Sequence, residues 1–329
     1  MNEKPKAKLA LYWAASCGGC EIAVLALNEK ILDVAAAFEI VFWPCATDGK
    51  VRDVEKMADG SIDVCLFNGA IRTSEQEYMA QLLRRKAKVL VAFGACAGLG
   101  SIPALANMNT KEEIFATSYQ ETPSTDNPAK VRPQPEAKVA EGTLHLPVFY
   151  DTVRTLDQTV AVDYYLPGCP PEADRIWEAV VAILEGKLPP PGSVIGAEST
   201  VCDTCTRKRT EKKIQKFRRT WEIIPDEETC LLEQGLLCCG IATRAGCGAL
   251  CPQVNSPCIG CYGPTDNVPD YGARLMSALA SVIDASTPEQ IDRIIQEGIP
   301  DPIGSFYRFS LAGSLLRRKK ITDGAKAVT

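Results

Sequence analysis

The chain has 329 residues, 46% of them hydrophobic, and a formal net charge of −5. That suffices for one large or two modest domains and has the wrong sign for a surface built around nucleic acid or an anionic membrane. No apolar run approaches bilayer length. The opening MNEKPKAK has no apolar signal core and no twin-arginine pair precedes Cys17, so a cytoplasmic location without a membrane span is expected.

Fifteen cysteines stand against one histidine, His145. A reducing cytosol disfavours structural disulfides, so cysteine at this density points to metal. With His145 alone, a cysteine–histidine catalytic pair has one candidate and mixed-ligand zinc is starved. Thiolate must be the main ligand, which leaves structural zinc or iron–sulfur clusters.

The first predicted strand lies in LALYWAASCGGCEIAVLALNEKIL, where Leu9, Leu11 and Trp13 share one face. From Glu21 the apolar spacing is helical, so Cys17 and Cys20 sit on a strand-to-helix turn. Further strand signals are FEIVFWP (38–44), IDVCLFNG (62–69), KVLVAFGAC (88–96) and AVDYYLPG (161–168). Helical stretches cover 21–37, 74–87 and 172–186, the second with Ser74 and Glu77 as a capping pair. This alternation predicts a parallel sheet wrapped by helices. Residues 120–143, polar and proline-rich, read as a surface loop.

KLPPPGSVIG (187–196) marks a change of composition, so domains of 1–190 and 191–329 are expected. Residues 197–268 carry nine cysteines with little periodicity. Such a segment needs metal to fold. Helical pattern returns over 271–297.

Cys17 and Cys20 follow the first strand. Cys96, among Gly94, Gly98 and Gly100, follows another, and Cys169 follows a third before a helix opened by Pro170 and Pro171. In an open parallel sheet the carboxyl ends of the strands share one edge, where ligands bind. Four cysteines distant in sequence therefore converge on one rim, and glycines let backbone approach a bulky group. A thioredoxin-like dithiol would leave Cys96 and Cys169 idle. Cys65, inside a strand, and Cys45 fit a core-thiol reading.

The second half pairs Cys202 with Cys205 and Cys258 with Cys261, and adds Cys230, Cys238, Cys247 and Cys251: enough for two four-thiolate sites. Zinc ribbons use similar spacings, but three sites in one chain suggest an electron relay. Cys239 adjoins Cys238, and adjacent side chains rarely reach one cluster together, so Cys239 is read as a non-ligand.

SCGGCE, GACAGLG, LPGCPP, CLLEQGLLCCG and PCIGCYGPT together resemble the small subunit of NiFe hydrogenases, over nearly the whole chain. The likeness is greatest to the cytoplasmic viologen-reducing type that partners heterodisulfide reductase. It implies a flavodoxin-like α/β domain followed by an irregular, cysteine-rich iron–sulfur domain with a few helices. It implies three 4Fe–4S clusters: proximal on Cys17, Cys20, Cys96 and Cys169; distal on Cys202, Cys205, Cys230 and Cys238; medial on Cys247, Cys251, Cys258 and Cys261. Where periplasmic members have a first distal histidine, this chain has Cys202. Where their medial site has three cysteines, this one has four.

The resemblance also implies partners: a large subunit and an iron–sulfur or flavin acceptor subunit, possible types including that of heterodisulfide reductase. The nickel motifs R-x-C-G-x-C and D-P-C-x-x-C are absent here, so no catalytic residue is expected in this chain. Glu21 is a candidate proton-path residue beside a simpler reading as a first-turn carboxylate favoured by the helix dipole. RKRTEKKIQKFRR (207–219) reads as a solvated helical face that can also steer an acidic acceptor. His145 is expected to lie in a loop or strand without a metal role. Two rivals stand beside this reading. One is the related complex I cluster subunit, which resembles the first domain only and carries adjacent cysteines in place of the C-x-x-C. The other is a zinc-stapled binding protein.

Overall fold

The structure is a computed structural model that describes residues 6–210 and 213–316. Among these, nine strands form: β1 (Ala7–Trp13), β2 (Phe38–Phe42), β3 (Ile62–Asn68), β4 (Ile71–Thr73), β5 (Ala87–Phe93), β6 (Glu136–Val139), β7 (Gly142–His145), β8 (Phe149–Arg154) and β9 (Tyr164–Leu166). Five make the main sheet, in the order β2-β1-β3-β5-β9. All its pairings are parallel. Counted along the chain this is the flavodoxin-like order 2-1-3-4-5.

Alternation along these strands feeds two apolar layers. Leu9, Leu11, Val64, Leu66, Val91, Phe93 and Leu166 pack on one face with Ala23, Val24, Ile176 and Ala179. Those four come from the helices Gly19–Leu25 and Ala173–Glu185. Ala10, Cys65, Phe67, Leu90 and Ala92 pack on the other face with Met79, Leu82 and Leu83, from the helix Ser74–Lys86. Each fully buried Phe or Leu contributes about 1.5–3 kcal/mol.

The capping box of that helix sits one residue before the expected pair. Gln76 N–H donates to Thr73 Oγ1 at 3.4 Å, and Gln76 Oε1 accepts from Thr73 N at 3.0 Å. Ser74 Oγ is engaged by Val148 N–H at 2.9 Å and Glu77 by Arg154 at 3.0 Å. The helical stretch after Cys20 is also broken, into Gly19–Leu25, a short 3-10 turn and Ile31–Ala37. Within the expected loop 120–143 a fully exposed hairpin begins, with β6 paired to β7. His145 ends β7, exposed, 3.8 Å from Glu136.

Residues 192–195 run beside β9, where Ile195 N–H donates to Tyr165 O at 2.8 Å. Beyond them the described chain has short helices until Tyr271–Ala280, Pro288–Gly298 and Pro302–Phe306. Its core joins Val201, Phe217, Leu231, Leu236 and Leu275 to the thiols Cys238, Cys239 and Cys258, with Ala70, Ala104 and Val153 from the first half.

Irregular backbone there is held by two buried arginines. Arg207 donates to Pro252 O (2.9 Å), Asp226 O (2.7 Å), Thr229 O (3.0 Å) and Asn255 Oδ1 (2.7 Å). Arg244 donates to Pro264 O (3.0 Å) and Ala197 O (2.9 Å) and pairs with Asp266. The described part of 207–219 is not helical, which corrects the expected helical face. Ile214 and Phe217 are buried at helix-like spacing, but Ile214 N–H bonds to Val282 O and Arg218 N–H to Gly235 O. Long-range pairing has taken the backbone.

Candidate metal centres

The carboxyl ends of β1, β5 and β9 bring Cys17, Cys20, Cys96 and Cys169 to one edge. Burial raises the Cys20 pKa, and repulsion from Cys96, Cys169, Cys17 and then Glu21 raises it further. Burial pushes Cys96 up to about 12, with Cys169 and Cys17 again adding to the rise. Cys20, Cys96 and Cys169, raised by burial and by neighbouring thiols, hold a thiolate form only against a compensating positive charge of the kind a metal supplies.

The surroundings fit a bulky group. Gly94, at φ 84°, has no room for a side chain: a Cβ there would lie 2.4 Å from Cys20 Sγ. Gly18, at φ 83°, meets the Trp13 ring at 2.9 Å in the same test. Ser101 is fully buried, and its hydroxyl has no hydrogen-bond partner among the described residues.

A second group comprises Cys202, Cys205, Cys230 and Cys238, which line one small cavity with Val201, Leu231 and Arg207. Burial pushes Cys202 up to about 12, reinforced by Cys238 and Cys230 and, after a small opposing effect of Arg209, by Cys205. Cys238 is raised by burial first, against N–H donation from Gly240 and Cys258. The Cys258 N–H lies 3.3 Å from Cys238 Sγ.

The third group is less complete. Burial pushes Cys261 up to about 12, with Cys247, Cys169 and Cys251 adding to it. Cys251 is raised by burial and then by Cys247 and Glu172. Cys258 is not among the thiols acting on either. Burial raises it most, followed by Cys238, while Gly260 and Thr243 lower it and Cys239 raises it. The Cys239 N–H donates to Cys258 O at 2.8 Å. Cys258 thus sits with the second group, whereas Cys169 and Cys261 bring the first and third together. Cys261 links Cys247 and Cys251 to Cys169 of the first group, and Cys258 lies beside Cys238 of the second.

Among the described residues, no three His, Cys, Asp or Glu side chains converge tightly enough to hold one metal ion. Cys65 is buried within β3 and Cys45 is exposed. Cys239 is pushed up to about 12 by burial and then by Cys238.

Glu21 lies in the first turn of Gly19–Leu25 and is buried, not solvated. Its carboxylate accepts from Trp43 Nε1 and, at 3.4 Å, from Asn68 Nδ2. Burial raises its pKa, and these two donors oppose the rise. Trp43, Asn68 and Ser101 carry no sequence motif that marks them as site residues. Trp43 directly follows β2 and Asn68 ends β3, while Ser101 directly follows GACAGLG, and that placement is the only signal they offer.

A flavodoxin-like sheet whose strand ends carry grouped thiols, continued by a thiol-rich irregular half, defines a cysteine-rich α/β protein of two parts. The family described as NADH ubiquinone oxidoreductase, 20 Kd subunit, matches residues 17–183. Over 95% of this chain and 98% of its own length, the iron-sulfur subunit of the F420-non-reducing hydrogenase of Archaeoglobus profundus is 44% identical. A vhu subunit of the F420-non-reducing hydrogenase of Methanocaldococcus jannaschii is 37% identical over 95% of this chain and 97% of its own. In fold, a chain of the [NiFeSe] hydrogenase from Desulfovibrio vulgaris Hildenborough superimposes with a TM-score of 0.51 and 17% identity, over 86% of this chain and 99% of that one. The chain belongs to this family of oxidoreductase subunits, and within it to the small subunits of NiFe hydrogenases. Its partner is therefore a large catalytic subunit. No described helix is long and apolar enough to cross a membrane.

Proposed function

We propose that the chain carries electrons from hydrogen oxidation on the large subunit to a low-potential acceptor through three 4Fe–4S clusters. Cys17, Cys20, Cys96 and Cys169 hold the proximal one, Cys247, Cys251, Cys258 and Cys261 the medial one, and Cys202, Cys205, Cys230 and Cys238 the distal one. When bound, such clusters take up and release single electrons. The observation that carries this reading is the series of thiol groups, in which Cys169 neighbours Cys261 and Cys258 neighbours Cys238.

In this reading residues 1–190 position the proximal site and residues 191–329 enclose the other two. Apolar neighbours such as Val201 and Leu231 keep water from the distal thiols. Backbone N–H groups, as at Cys258, favour their ionised form. Glu21 stands ready to hold a proton near the large subunit. The relatives named F420-non-reducing support an acceptor other than F420; in our reading it is an iron–sulfur or flavin subunit as in heterodisulfide reductase, and the protein works in the cytoplasm. Anaerobic purification of the complex, with iron and acid-labile sulfide analysis, tests this. About twelve of each per copy of this chain are expected; zinc in place of iron overturns it.

A further inference from the structure

We propose that the Ser101 hydroxyl donates a hydrogen bond to the sulfur surface held by Cys17, Cys20, Cys96 and Cys169, and thereby raises the reduction potential of the cluster there. The inference rests on the reading that these four thiolates hold an iron–sulfur cluster.

Three features of Ser101 converge. It is wholly buried, and its Oγ has no partner among the described residues, a costly state for a hydroxyl. It occupies a left-handed backbone position, φ 46°, where glycine is easier. That conformation is fixed from far along the chain, since its N–H donates to Phe309 O at 3.2 Å and the preceding Gly100 packs against Ala312. The preceding Gly100 also donates its N–H to Cys96 O at 3.0 Å, which sets Ser101 one turn beyond that cysteine. A polar side chain kept in a strained and buried position, beside thiols and without an acceptor, has its acceptor in what those thiols bind.

The consequence follows from charge. Reduction adds one electron, supplied by hydrogen oxidation on the large subunit, and breaks no bond; the proton stays on Ser101 Oγ. A donor aimed at the sulfur stabilises the extra negative charge, so the reduced state gains more from it than the oxidised state.

The test is an EPR-monitored redox titration of the anaerobic complex carrying Ser101→Gly or Ser101→Ala. Gly accepts φ 46° without strain; Ala does not. Both remove the hydroxyl. The expected result is a fall of about tenfold in the equilibrium constant for reducing the proximal cluster, or about 59 mV for one electron, in both variants, with iron content unchanged. An unmoved or raised midpoint in Ser101→Gly overturns the proposal. So does a shift confined to Ser101→Ala, which assigns the effect to the backbone, or loss of iron from Ser101→Gly, which assigns Ser101 to cluster assembly. If the unaltered complex has no cluster signal from this chain, the relay reading itself fails.

Discussion

The two halves of the molecule fold by different means. The first buries alternating side chains on both faces of a parallel sheet, and its four candidate ligands are passengers at the strand ends. In the second, thiols are part of the core: Cys238, Cys239 and Cys258 pack with Phe217, Leu231 and Tyr271, and long helices appear only after residue 270. Arginine side chains there bond the carbonyls that strands and helices would satisfy elsewhere. On the proposed reading, the first half positions a cofactor on a finished scaffold. On the same reading, the second half uses the cofactor as part of its scaffold.

Removing iron breaks the comparison most severely. Chelation under reducing conditions should abolish amide protection across 201–261 and leave β1, β3 and β5 protected in hydrogen exchange. Equal loss in both halves would contradict the division.

Among single ligands, Cys258→Ser should cost about four irons per chain. Cys239→Ser should cost none. Because Cys258 neighbours Cys238 and Cys239, the opposite outcome would place Cys239 in the medial set.

In the sheet, Phe67→Ala should destabilise the first half by about 3–5 kcal/mol in denaturant unfolding, since the ring is fully buried. Iron content should stay constant below the transition. Arg207→Lys should cost about 1–3 kcal/mol, and only in the second half, because an ammonium cannot replace four donations made by one planar fork; a variant as stable as the parent would remove the arginine from the account.

The smallest effect is expected at the surface. Arg209 and Lys213 line the cavity beside Cys202 and Cys230. Reversing both charges should slow reduction of an anionic acceptor about three- to tenfold at low salt and leave it unchanged at high salt. An unchanged low-salt rate would reject steering.

The sheet was legible because its strands are apolar runs of β-branched and large residues bounded by glycine and proline. The proximal group was legible for a related reason: Cys17, Cys20, Cys96 and Cys169 each follow a strand, and parallel topology does the gathering. Elsewhere the deciding contacts are long-range. Cys258 meets Cys238 through a backbone pairing between 239 and 258, which no spacing announces. Ser101 depends on Phe309, and the 207–219 segment lost its helix to bonds with Gly235 and Val282. The exposed hairpin of β6 and β7 has no buried face, so it leaves no alternating pattern to read.

The central claim is that twelve named thiols hold three separate iron clusters. Anomalous diffraction at the iron edge from crystals of the intact complex tests it directly. The account predicts three iron peaks within this chain, in the order proximal, medial, distal, each enclosed by its four cysteines. Fewer peaks, or peaks that appear at the zinc edge instead, would contradict it.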